Sequence, residues 1–167
     1  RSPVVAEDFD WEGDKPLKIP YEEMILYRAH VRGFTKNPAS RAKDKGTFRA
    51  LIEKIPYLKE LGVTSLELLP VNEFSELMMP EHVDGNPYAV DKPTGKLNYW
   101  GYTSGYYFAP KASYCSGKEK HPVTEFKNLV KTFHKEGLEL IIELYFTGKE
   151  NPAFVPVSYT HLTLPTT

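Results

Sequence analysis

The 167-residue chain has one cysteine, Cys115. No intrachain disulfide and no cysteine-built metal site can form within it, which fits a reducing compartment and an expected cytoplasmic location. No stretch approaches the ~18 consecutive apolar residues of a membrane helix. Residues Arg1 to Asp10 also lack the apolar centre of a secretion signal. Charge of one sign is missing too: 21 Lys and Arg against 22 Asp and Glu leave a formal net charge of −1. A chain without a basic field is poorly suited to a nucleic acid backbone or an anionic membrane, so neither is expected as a partner. Glycine-rich phosphate loops, HExxH and G-x-S-x-G are absent, which argues against nucleotide-phosphate, zinc-protease and nucleophile-elbow chemistry.

What is present is a globular composition, 41% hydrophobic and 13% aromatic, in strand-helix order. Residues 1–22 carry Pro3, Gly13, Pro16 and Pro20 among charges and read as an extended lead-in crossing from an upstream domain. From Glu23 to Ala29 the apolar run Met24, Ile25, Leu26 and Tyr27 predicts a strand buried on both faces, and His30 to Lys45 reads as loop. Phe48, Leu51, Ile52, Ile55, Leu58 and Leu61 recur at helical spacing, with Pro56 expected to kink or divide the helix and Gly62 to stop it. Val63 to Leu69 predicts a second strand and hence a parallel βαβ unit with a right-handed crossover.

Val71 to Val123 reads as one long, proline-bearing connection, far beyond the usual length and therefore suspected of function. Thr124 is the expected N-cap of a helix reaching Glu136, with Gly137 beyond it, and Leu138 to Leu144 predicts a third buried strand. Residues 157–167, VSYTHLTLPTT, change character: they read either as a genuine threonine-rich tail or as a sequencing adapter translated in frame. The second reading is preferred, and this segment is set aside from the fold.

Three places could carry chemistry. Glu143 ends an apolar run, Leu140, Ile141 and Ile142; it is either a functional carboxylate needing partners or a solvated strand-end acid. NYWGYTSGYYFAP, from Asn98 to Pro110, gathers Tyr99, Trp100, Tyr102, Tyr106, Tyr107 and Phe108. Such rings suit the C–H faces of sugars, or alternatively form a small core under a loop. His30 in HVRGFT could ligate or catalyse, but without a second ligand at recognisable spacing a structural hydrogen-bonding role is favoured. Cys115 has no evident activation and reads as a free thiol.

DFDWEGDKPLKIPYEEMILYRAHVRGFT, LKELGVTSLELLPVNEF and NYWGYTSGYYFAP, in this order, resemble the α-amylase superfamily, glycoside hydrolase family thirteen, and within it the isoamylase, pullulanase and glycogen-debranching branch. The resemblance covers most of residues 8–155. It implies an α/β fold: residues 23–156 as about the first three βα units of a truncated catalytic (β/α)8 barrel, a TIM barrel whose whole needs roughly 250 residues. It further implies an α-glucan partner, no cofactor, and a substrate-stacking role for Tyr102, with Trp100 beside it.

The same resemblance places Glu143 on the family's site-supporting Asp, Thr147 on its Asn and Gly148 on its sugar-binding His. No calcium ligand set or other metal site is visible, and Thr147 stands where an Asn often serves calcium in relatives. The nucleophile and acid of the family, roughly 5 to 5.5 Å apart in a retaining glycosidase, belong to later strands. No catalytic residue is therefore expected here, and the stretch alone is expected to be inactive. The implied whole is a retaining hydrolase of α-1,6 branches. A non-catalytic α-glucan binder, suggested by Thr147 and Gly148, and a branching or transglycosylating enzyme are the alternatives.

Overall fold

A computed structural model of the chain describes residues 9–77, 95–103, 105–118 and 121–146. Thr147, Gly148 and the tail 157–167 lie outside the described residues. The frame is a parallel sheet in the order β1 (Leu26–Ala29), β2 (Ser65–Leu68), β5 (Glu139–Ile142). Arg28 pairs in register with Glu67, and Glu67 with Ile141. Between β1 and β2 run three short helices, α1 (Val31–Lys36), α2 (Phe48–Ile52) and α3 (Ile55–Glu60). Pro56 stands in the first turn of α3, where its missing N–H costs nothing, so the expected helix is divided there rather than bent.

α4 (Pro122–Lys135) packs on β5 and on α2. Leu66 and Leu68 turn one face of the sheet toward Leu58, Leu129 and Phe133, all fully buried in one apolar cluster with Phe48 and Leu51. Alternation sends Arg28, Glu67, Ile141 and Glu143 to the opposite face.

Several expectations need correcting. β1 and β5 are not buried on both faces: Ile25, Leu26 and Ile142 are exposed, because these are the outer strands of the described sheet. The presumed loop after β1 contains α1, which is too short to display a helical period in sequence; His30 caps it by accepting a hydrogen bond from Gly33 N at Nδ1, 3.0 Å. α4 begins before Thr124: His121 is its N-cap and Pro122 its first residue, and Pro122 needs no N–H partner there. The long connection is partly structured, as β3 (Asn72–Phe74) pairs antiparallel with β4 (Gly105–Pro110).

That hairpin-like pair is pinned by Lys111. Its buried ammonium meets Glu73 at 2.6 Å, Glu76 at 3.5 Å and the Phe74 carbonyl at 2.8 Å. The described lead-in forms no strand and only a 3-10 turn at Tyr21–Glu23, yet it is anchored at both ends of its path. His134 Nδ1 lies 2.7 Å from Asp14, Lys131 reaches Glu12 at 2.9 Å, and Ile19 N donates to Glu139. Among the described residues no helix is long and apolar enough to cross a membrane.

Beyond β5, a cleft of about 310 Å³ opens between β4 and α4, lined by Trp11, Phe108, Phe126, Val130, Ile142 and Leu144 among others. Asn72, itself buried, also lines it, and its side-chain amide has no hydrogen-bond partner among the described residues. Outer strands with unpaired backbone and an open apolar cleft favour self-association. The 167-residue chain expressed alone should therefore bind a hydrophobic dye and sediment as a mixture of oligomers. A monodisperse monomer with a sharp cooperative melt would show that these faces are closed.

Candidate functional site at the strand C-termini

The parallel register brings the C-terminal ends of β1, β2 and β5 to one side, and charged groups gather there. Arg28, the third residue of β1, pairs with Glu143 just past β5. Nε lies 3.1 Å from Oε2, and Nη2 is also bonded to that oxygen. Glu67 of β2 lies between them in the sheet, 3.5 Å from the same Nε. The backbone places Glu143 firmly, since its N–H continues the ladder to Leu68 O at 2.9 Å. Hydrogen bonding to Glu143 raises the Arg28 pKa further above its already high ordinary value, so the guanidinium is a permanent cation.

Tyr102 joins this pair from the long connection. Arg28 Nη2 donates to its hydroxyl at 2.8 Å, and its ring meets the edge of Tyr145 with centroids 5.7 Å apart. Burial and the neighbouring Glu143 push the phenol above its ordinary 10.0, against the pull of Arg28, so Tyr102 is a neutral hydroxyl. The ring remains 40% exposed, enough for a ligand to reach it. Its position depends on Gly101, whose φ of +78° is left-handed and whose absent Cβ would lie 2.6 Å from Phe74 Cε1.

Trp100 is more exposed, at 54%. Its ring stands perpendicular to Tyr99, 5.2 Å away, and edge-on to His30 at 6.0 Å. Tyr99 in turn stacks flat on His30, at 4.1 Å and 9°. His30 is thus the structural post of the aromatic segment, as the sequence favoured. Nδ1 accepts from Gly33 N, so Nε2 carries the proton and donates to Tyr99 O at 2.7 Å. Burial lowers the His30 pKa below 6.5, and Arg32 adds to the effect.

The structure therefore brings Tyr102 and Glu143 together through one cation and sets Trp100 to the side, on His30. Arg28, Glu67 and Tyr145 were not singled out in the sequence. The available signal was an arginine in an otherwise apolar strand, whose uncompensated charge required an acid at the same sheet end. Cys115 is a half-buried thiol pushed up to about 12 by burial, then by Glu125 and Glu73, which agrees with its reading as a free thiol without activation. Among the described residues no group of three or more His, Cys, Asp and Glu side chains could hold a metal ion.

A parallel strand-helix-strand sheet with aromatic and charged groups beyond its strand C-termini defines an α/β protein with a candidate site at that end. No protein-family model matches the chain. It is 39% identical over 146 residues to the chloroplastic isoamylase 1 of Arabidopsis thaliana, covering 85% of this chain and 18% of that protein. It is 40% identical over 149 residues to the glycogen operon protein GlgX homolog of Haemophilus influenzae, covering 87% and 21%. Its structure matches the type I pullulanase of Bacillus subtilis, solved with maltose, at a TM-score of 0.65 and 30% identity, covering 90% of this chain and 22% of that one. The chain spans about a fifth of the length of these relatives. Over the matched residues it is homologous to the isoamylase, pullulanase and glycogen-debranching branch of the α-amylase superfamily.

Two predictions follow from this geometry, both for a full-length protein carrying the sequence. Gly101→Ala should lower the unfolding free energy by about 2 kcal/mol, read by denaturant titration, since a left-handed φ and a close ring both oppose a Cβ. His30, whose pKa is lower folded than unfolded, stabilises the fold fully above pH 6.5 and progressively less as pH falls from 6.5 toward its folded value. The thermal midpoint should drop on acidification through that window, and His30→Gln should flatten this part of the profile. An unchanged slope would place the sensitivity elsewhere.

Proposed function

We propose that a full-length protein carrying this sequence hydrolyses α-1,6 branch points of glycogen-like α-glucans, with retention, and that Tyr102 stacks against the sugar beside the cleaved bond. The observation that carries this reading is the convergence of Tyr102, Arg28 and Glu143 at the C-terminal ends of parallel strands. In barrel enzymes that end is where substrate is held. The relatives' names, isoamylase and glycogen operon protein, and the maltose in the Bacillus subtilis pullulanase structure support an α-glucan ligand.

In this reading residues 23–156 form the first three βα units of a (β/α)8 barrel, residues 1–22 lead in from an upstream domain, and residues 157–167 are foreign to it. The protein works in the cytoplasm. The exposed ring of Tyr102 supplies an apolar face to a sugar's C–H surface, with Trp100 flanking it at greater distance. Glu143 supports the site by fixing Arg28 and does no proton chemistry there. The two carboxylates that break the glycosidic bond come from later strands.

A second reading, a non-catalytic α-glucan binder, draws on Thr147 and Gly148, which stand where the family has an Asn and a sugar-binding His. The deciding assay is incubation of the full-length protein with glycogen, followed by reducing-end determination. Release of linear maltooligosaccharides, with kcat/KM reduced about tenfold or more in Tyr102→Ala, is the expected result. Binding to glycogen without cleavage would select the binder, and neither binding nor cleavage would end both readings.

A further inference from the structure

We propose that Arg28 is a positioning residue for Tyr102, and that its ion pair with Glu143 exists to aim one hydroxyl. The inference rests on the reading of Tyr102 as a sugar contact. Tyr102 belongs to no helix or strand, so its ring needs an outside anchor. Its anchors include the edge contact with Tyr145, the hydrogen bond from Arg28 Nη2 and the neighbouring Glu143 carboxylate, which Arg28 itself holds in place. Arg28 is itself constrained, because its backbone lies in β1 and its guanidinium is held by Glu67 and Glu143 from the other two strands.

Constraint therefore passes from the rigid sheet to the guanidinium, and from the guanidinium to a loop tyrosine. A planar fork can hold a carboxylate and a phenol in fixed relative directions, which a lysine ammonium cannot. With its side chain 51% exposed, the ion pair itself contributes little stability. Its consequence is geometric: a stacking ring held before substrate arrives loses less freedom on binding.

The test is a double-mutant cycle in the full-length protein, with maltohexaose affinity read by calorimetry. Arg28→Gln and Tyr102→Phe should each weaken binding by about tenfold, as expected for losing a charge-assisted hydrogen bond. The double variant should bind no more weakly than Arg28→Gln alone. Arg28→Lys keeps a cation beside Glu67 and Glu143, so it reports on affinity if the glutamine variant fails to fold. Unchanged affinity with a lowered thermal midpoint would overturn the proposal, leaving Arg28 a structural residue only. Additive losses of about a hundredfold would also overturn it, because Arg28 would then act on the sugar directly. If the wild type binds no maltohexaose, the sugar-contact reading fails by itself. The same cycle in thermal midpoints then decides the positioning claim: coupling between Arg28 and Tyr102 keeps it, and additivity removes it.

Discussion

Parallel register is the constraint on which the rest of this structure depends. β1, β2 and β5 point the same way, so residues far apart in sequence finish at the same end of the sheet. Arg28 and Glu143 are 115 positions apart and still form an ion pair. The pairing is possible only because the helical crossovers hide one face in the apolar cluster around Leu66, Leu68, Leu129 and Phe133. The other face is thereby free to carry charge, and it does so in Arg28, Glu67, Glu139 and Glu143. Hydrophobic burial fixes the sheet, and the sheet fixes the electrostatics.

A second level of organisation sits on the first. The β3 and β4 pair, pinned by Lys111 between Glu73 and Glu76, carries the chain from the end of β2 to the aromatic segment and back to α4. His30 connects the levels from below. It caps α1, donates to Tyr99 O, and supports the Tyr99 ring against which Trp100 stands. Because Nδ1 is occupied as an acceptor, protonation would replace a capping hydrogen bond with two facing N–H groups, close to Arg32. The same imidazole that organises the aromatic segment is thus its acid-sensitive point.

Much of this frame was legible in sequence because it rests on local periodicity. The spacing from Phe48 to Leu61, the division at Pro56 and the stop at Gly62 depend only on neighbours along the chain, as does the apolar run before Glu143. The short pieces were not legible. α1 has six residues and β3 has three, too few for a period to be distinguished from chance, and β3 finds β4 only after a long excursion. The true cap of α4 was hidden by an attractive alternative: Thr124 is a good capping residue, but His121 followed by Pro122 starts the helix earlier. At the site, ring chemistry drew attention to Tyr102 and Trp100, and strand position to Glu143. Arg28 was passed over because its meaning lies in a cross-sheet partner.

The arginine decides what Glu143 can do. Alone at a strand end, a glutamate invites a role in acid-base chemistry; clasped by a guanidinium at both Nε and Nη2, it is committed as an acceptor. Its extra methylene relative to aspartate lengthens its reach from the end of β5, across β2, toward a cation on β1. The longer acid and the arginine are then two parts of one arrangement, and the hydroxyl of Tyr102 is the third. An arrangement built this way spends its charge on holding an aromatic ring in place.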